Sequence, residues 1–453
     1  MGFSLEYQNE DDAAFGWQLR KETERLRSAF LEGAFANEGF DIGFELELQL
    51  LDKDQKPKRV SLNLLKQMNS SYVVPEMYAS MIEFNSKHFS ITGGGLLKAH
   101  QHLRALWRYC ARVCRKNYID LVAIGSLPTF SAEDINEQYL TDLPRYKKMT
   151  ARLKEQYPDS DILVSRNGTC NGFHLHFRIP AGRAADYYNA ANIASAPVLA
   201  VSGNSPYFLK NHLWQESRIY VFESCGGKNL RQKGRAFLGD HYVRRNFFEL
   251  FQENLKFPLI LSALNTKTPD PFWHLMLHNG TIWRWNRPVI SLYGQGPLHV
   301  RIEHRSLPSG PTVIDMLANA LFWIGLTKAI GDDIQNYMLY SPFQRIKHNF
   351  YVAAQYGLDQ PLFWPRRGEI LPQTLIVEHL LPLAYEGLKS LDMPLALIKM
   401  YLGVIRHRAC TGQTGSRWQQ NFMAHHPGEW SEMVKVYVKE QQKDNPIAEW
   451  DNV

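Results

Sequence analysis

Several signatures are missing from this 453-residue chain, and each absence closes off a class of function. No GxxxxGK[ST] segment occurs, and the Gly93-Gly94-Gly95 run lacks the Lys–Ser/Thr that completes a phosphate-binding loop. A GxGxxG dinucleotide fingerprint and the kinase signatures are absent too. Ser126, Ser202 and Ser205 lack the GxSxG setting of a serine hydrolase. Cysteine is scarce: Cys110, Cys114, Cys170, Cys225 and Cys410, an odd set without CxxC, read as free thiols in a reducing compartment. The opening MGFSLEYQNEDDAAF is polar and acidic, unlike a signal or transit peptide, and Gly2 lacks the following Ser/Thr of a myristoylation site. No apolar run reaches membrane-spanning length, so no membrane partner is expected and a cytoplasmic enzyme is the default. Net charge is +6, but Lys and Arg are scattered without a run of five or six. That pattern argues against a nucleic-acid partner and suits anionic small substrates.

What is present is ordinary globular composition, with 45% hydrophobic and 21% charged residues. Apolar spacing predicts an amphipathic helix over 11–38, with Phe15, Leu19, Leu26 and Phe30 on one face. Strands are predicted at 43–52, 80–89, 118–126, 172–180, 281–291 and 298–308, with helices at 96–117 and 183–200 and a helical region from 311 onward. The polar, Pro-broken stretch 127–170 and the Gly/Lys/Arg-rich loop 224–235 read as lids or as plain surface insertions. Strands and helices mix without βαβ alternation, which makes the class α+β. The expected organisation is a catalytic core over 1–330 and a helical extension over 331–453 packed on it as one unit.

The strands carry the chemistry, because successive side chains point to opposite faces. In GFELELQLL, Glu45, Glu47 and Gln49 oppose Phe44, Leu46, Leu48 and Leu50. In GFHLHFRI, His174, His176 and Arg178 oppose Phe173, Leu175, Phe177 and Ile179. In LHVRIEHRS, His299, Arg301, Glu303 and Arg305 oppose Leu298, Val300 and Ile302, and in SMIEFNS, Met81, Glu83 and Asn85 oppose Ile82 and Phe84. Each strand has an apolar back and a polar front. One strand of this kind is read as a solvated sheet face. Four of them in one sheet would gather glutamates that repel one another unless cations hold them. Hard carboxylate ligands point to Mg²⁺ or Mn²⁺ over Zn²⁺, and arginines beside a glutamate point to an anion next to a metal.

The order of these motifs resembles the glutamate–cysteine ligase / carboxylate–amine ligase family, related to glutamine synthetase. The Glu45–Glu47 strand is similar to the opening metal strand, PEMYASMIEFNS (Glu76, Glu83) to the second acidic segment, and NGFHLHF to the glutamine synthetase NGxHxH strand. SGNSPYF resembles the NSP segment, TIWRWNRP the tryptophan–arginine–proline strand, and RIEHR the terminal RxExR strand; together they span 43–320.

The resemblance implies a curved, mainly antiparallel sheet of the glutamine synthetase-like type. It implies that Glu45, His174 and Glu303 bind one metal, and that Glu47 and Glu83, with Glu76, bind a second. His176, Arg301 and Arg305 would contact ATP, with Arg301, Glu303 and Arg305 the catalytic set. Arg218, Arg284, Arg287 and Asn204 would meet substrate carboxylate or phosphate. Two departures stand out: Asn286 replaces an acidic residue found in many ligases, and the Glu76–Glu83 spacing demands a bend. The implied reaction activates the carboxylate of glutamate or a similar amino acid with ATP and condenses it with an amine. With cysteine as the amine, that reaction belongs to glutathione biosynthesis. The expected partners are therefore ATP and amino-acid substrates, with a homodimer left open. A phosphagen-type phosphotransferase and a non-catalytic nucleotide-binding relative are the competing readings.

Overall fold

The computed structural model describes residues 12–157, 167–224, 234–262, 270–291 and 297–451. Its centre is an eight-stranded antiparallel sheet. In chain order the strands are β1 (Asp41–Leu51), β2 (Val73–Pro75), β3 (Met81–Asn85), β4 (Phe89–Ser90), β5 (Asp120–Val122), β6 (Phe173–Ile179), β7 (Asn286–Ile290) and β8 (Val300–His304). The spatial order is β7-β8-β6-β1-β3-β2, with β4 and β5 each pairing with β1.

β1 is the long member because it serves several partners. Ile42–Leu46 pair with β6, Gln49–Leu51 with β5, and Glu45–Gln49 with β3 on the other side. The predicted strand over 118–126 is accordingly short, since it meets β1 only beyond the end of β6. The predicted 80–89 strand divides into β3 and β4. The predicted 281–291 strand also divides: Trp283–Arg284 run parallel to Ala236–Phe237 in a separate two-stranded sheet, and only Asn286 onward joins the main one. The N-terminal helix α1 (Asp12–Leu31) is shorter than predicted, ending beside Gly33 at φ 69°, where the left-handed conformation favours glycine.

The apolar back of the sheet is covered by helices. Phe44, Leu46, Phe173, Leu175, Phe177, Val300 and Ile302 are all buried there. Behind them lie α2 (Gly95–Lys116), α4 (Ala184–Ser202) and α5 (Val313–Asp332), with α3 (Pro144–Gln156) packed elsewhere, against a second core group. Thr312 caps α5 by accepting the Asp315 N–H at 3.3 Å. Contrary to the reading of the sequence, α5 is long and apolar enough to cross a membrane; 83% of that apolar stretch is buried in this fold, as suits a central core helix. The helix α6 (Leu381–Lys389) crosses α5 at a glycine pair. A Cβ on Gly387 would sit 2.1 Å from the Gly325 carbonyl oxygen, and one on Gly325 would sit 2.5 Å from that of Ala384.

Residues beyond 331 share the core of the preceding segment. Arg408 is buried, pairs with Asp315 at 2.6 Å and donates to Asn319 Oδ1 at 2.6 Å. Gln441 accepts the Ala123 N–H at 3.0 Å, and the Tyr437 hydroxyl donates to the Ala123 carbonyl at 3.0 Å. Of the cysteines, Cys110 and Cys114 are buried free thiols, Cys170 is buried, and Cys410 is exposed; Cys225 lies outside the described residues.

Candidate active site

Register brings the polar fronts together. Glu45 faces His174 across β1 and β6, Glu47 faces Glu83 across β1 and β3, and His176 and Arg287 both face Glu303 from the two neighbours of β8. Antiparallel partners share a face, so four glutamates, two histidines and four arginines (Arg178, Arg287, Arg301 and Arg305) meet on one side of the sheet.

Two ligand groups form there. One donor atom from each of Glu45, His174 and Glu303 lies within 4.8 Å of the others, and the same holds for Glu47, Glu83 and His174. His174 belongs to both. Its Nδ1 is 3.1 Å from Glu45, and its Nε2 is 3.8 Å from Glu47. His176 Nε2 is 2.9 Å from Glu45. Gly172 sits against this imidazole: a Cβ there would come within 2.5 Å of His174 Nε2, and its N–H donates to Glu47.

The two groups differ in charge. Burial pushes the Glu303 carboxyl up, but Arg287 and Arg305 outweigh it and hold the pKa at about 2. Arg287 grips Glu303 with both ends of its fork, Nε at 2.7 Å and Nη2 at 2.9 Å, and Arg305 Nη1 donates to the same carboxylate. Burial also pushes Glu45 up, yet His176 and His174 overcome it and draw the pKa well down. On the other side, burial and the neighbouring Glu76 push Glu47 up to about 8. Burial together with Glu45, Glu76 and Glu47 pushes Glu83 well up. Carboxyls that retain protons for want of counter-charge, arranged with an imidazole at ligand spacing, fit a hard divalent cation such as Mg²⁺ or Mn²⁺.

The other predicted residues are placed as follows. Glu76 lies outside both ligand groups: its Oε2 accepts the Met77 N–H at 2.7 Å and the Tyr146 hydroxyl at 3.4 Å. It stays close enough to raise Glu47 and Glu83. Arg218 is buried beside the site, paired with Glu216 at 3.0 Å and donating to the Ser306 carbonyl at 3.2 Å and the Arg305 carbonyl at 3.4 Å. Arg301 donates from Nε to His176 Nδ1 at 3.2 Å.

Two predicted residues are not brought to the cluster. Asn204 is fully buried, giving its amide to Ser309 at 2.7 Å and Tyr437 at 2.9 Å and accepting from Gln419 at 3.0 Å, so its side chain holds the core together. Arg284 belongs to the separate small sheet. It pairs with Glu253 at 2.8 Å and with Asn254, stacks on Phe237 at 4.6 Å, and lines a cavity of about 340 Å³ with His241, Lys256 and Phe257. Asn286 faces the back of the sheet, bonded to His304 at 2.7 Å and Asn192 at 2.8 Å.

Part of the 127–170 stretch flanks the site. Thr141 N donates to the Met77 carbonyl at 2.9 Å, which docks the start of α3 beside Glu76 and sets Tyr146 over it. No periodicity pointed to Tyr146 or to Glu216. The loop assigned to 224–235 falls mainly in 225–233, outside the described residues.

The polar sheet face thus carries paired glutamate–histidine groups and an Arg–Glu–Arg row, backed by helices. The model of glutamate–cysteine ligase family 2 matches residues 41–440, and the chain belongs to that family of C–N bond-forming ligases. Among solved structures, the glutamate–cysteine ligase of Francisella tularensis in complex with AMP aligns with a TM-score of 0.58 and 13% identity, covering 92% of this chain and 91% of that one. The bifunctional glutathione synthetase of Pasteurella multocida aligns with a TM-score of 0.49 and 10% identity, over 92% of this chain and 55% of its own. At such identities the likeness is one of fold. No curated protein sequence matches the chain.

Proposed function

We propose that the chain uses ATP to activate the carboxylate of glutamate, or of a similar amino acid, as an acyl phosphate and joins it to an amine such as cysteine. The observation that carries this reading is the pair of ligand groups sharing His174 next to the Arg287–Glu303–Arg305 row. Glu45, His174 and Glu303 would hold one Mg²⁺ or Mn²⁺, and Glu47 and Glu83 a second; bound ions would neutralise phosphate charge during transfer.

The substrate carboxylate oxygen attacks the terminal phosphorus of ATP, the bond to ADP breaks, and an acyl phosphate remains. The guanidinium of Arg305 stabilises charge that develops on the transferring phosphoryl oxygens, and Arg287 keeps Glu303 ionised and oriented. Arg301 binds the phosphate chain. The free amine then attacks the activated carbonyl carbon, phosphate leaves, and the amine's proton passes to solvent or phosphate. Arg218 acts by fixing the Arg305 main chain. Glu76 and Tyr146 border the end occupied by the second ligand group, where the amino acids enter.

A phosphate-release screen with Mg-ATP, glutamate and a panel of amino acids and amines tests the reading. Release that depends on both a carboxylate and an amine, with a condensed product, supports it. Phosphate transfer to a guanidine without condensation would replace it with the phosphotransferase reading. Glu303→Ala is expected to abolish turnover, and retained activity would sink the ligand assignment.

A further inference from the structure

At the end of the polar face remote from Glu47, two arginines stand side by side. Arg301 on β8 and Arg178 on β6 are direct partners across the strands, so their side chains leave the same face one strand apart. Like charges set directly opposite each other destabilise a sheet. One carboxylate is in direct contact with the pair, and Glu303 and Glu45 act on Arg301 from farther away. Arg178 has one carboxylate, Asp41, whose oxygen is 3.0 Å from Nη1. Arg301 donates to an imidazole, His176, and has no carboxylate partner among the described residues.

The Arg178 side chain is also held in place. Gly39 has φ 110°, and a Cβ there would sit 2.8 Å from Arg178 Nε and 3.0 Å from Cδ and Cζ. The guanidinium therefore lies against bare backbone, and its buried Nε has no hydrogen-bond partner. Two fixed guanidiniums one strand apart, with a single carboxylate in contact, form a preorganised site for a multiply charged oxyanion. Its position is informative too: Arg301 is two residues from Glu303 along one strand, about 7 Å. That matches the reach from the terminal phosphate of a nucleoside triphosphate, held at Glu303 and Arg305, to its inner phosphates.

We propose that Arg178 and Arg301 form a two-arginine clamp for the inner phosphates of the nucleotide, with Gly39 as the backbone seat that lets Arg178 lie in register. The inference rests on the ATP reading above and adds to it a binding residue and the orientation of the phosphate chain, running from Glu303 toward Asp41.

The test is direct binding to the full-length protein, with Mg-ATP, Mg-ADP and inorganic tripolyphosphate as probes. Arg178→Gln is expected to weaken all three by about tenfold, the usual size of a lost charge-assisted contact. Arg178→Lys restores charge without the planar fork and falls between. Gly39→Ala moves affinity in the same direction by displacing the guanidinium. A melting temperature lowered by Arg178→Gln with nucleotide affinity unchanged would make Arg178 a strap between β1 and β6 and overturn the clamp. Wild-type protein that binds no Mg-ATP would instead remove the ATP reading itself, so the two failures are distinguishable.

Discussion

The two halves of the polar face solve the same electrostatic problem in opposite ways. Around Glu303 the chain brings its own cations: Arg287 and Arg305 converge on one carboxylate and keep it ionised. Around Glu47 and Glu83 it brings further acids, with Glu76 close by, and the carboxyls retain protons. The first half carries its own counter-charge before any metal binds. The second is complete only when something positive arrives. Acidic residues on one face of one sheet therefore have different meanings, and the difference lies in which partners register places opposite them.

The strongest way to break the comparison is at Glu303. Glu303→Gln leaves two buried guanidiniums without their carboxylate, so stability should fall by about 3 kcal/mol and turnover by about a thousandfold, read by melting and by phosphate release. Glu83→Gln should do the reverse to the metal-free protein. Removing one of several mutually repelling carboxyls while keeping the Asn85 contact should raise stability by about 1 kcal/mol, yet abolish much of the stabilisation that added Mg²⁺ provides. A loss of metal-free stability in Glu83→Gln would show the two halves to be alike.

Proton dependence sharpens the same contrast. The folded pKa of Glu47 is raised to about 8, so its contribution to stability is present below the unfolded carboxylate range and is lost as pH rises through 8. Metal binding must displace that proton. Apparent Mg²⁺ affinity should therefore rise at least about tenfold per pH unit below pH 8, and more steeply where Glu83 must also give up its proton, as titration calorimetry at several pH values would record. Glu303, held at about 2, should contribute no such slope. The smallest effect is expected at Arg284, which belongs to neither half: Arg284→Gln should leave the substrate KM values within about twofold, although it costs about 1 kcal/mol of stability through loss of the Glu253 contact.

Most of the face was legible in the sequence because period-two alternation is a strict rule and the back residues are uniformly apolar. Once β1, β3, β6 and β8 share a sheet, the fronts must meet. What alternation could not supply is where strands break. Arg284 and Arg287 read as members of one strand, but the chain changes partner at Trp285: its N–H bonds the Phe237 carbonyl, and its carbonyl accepts the Arg305 N–H. Only Arg287 reaches Glu303. Asn204 carried a motif resemblance, yet its polar atoms are consumed by Ser309, Tyr437 and Gln419, partners up to 233 residues away. The spacing of Glu76 signalled a bend but not its result, because the residue that meets it, Tyr146, is delivered by an aperiodic stretch.

The glycine crossing of α5 and α6 bears on which positions tolerate replacement. Every ligand glutamate has an isostere, glutamine, that fits the same space and alters charge alone. Gly325 and Gly387 have none: the smallest addition meets main-chain atoms of the facing helix, which cannot rotate aside as a side chain can. An alanine at either position would wedge the two helices apart, and because α5 lies behind β6, the displacement would reach the strand that carries His174 and His176. The positions least open to substitution thus include two that touch neither nucleotide nor amino acid.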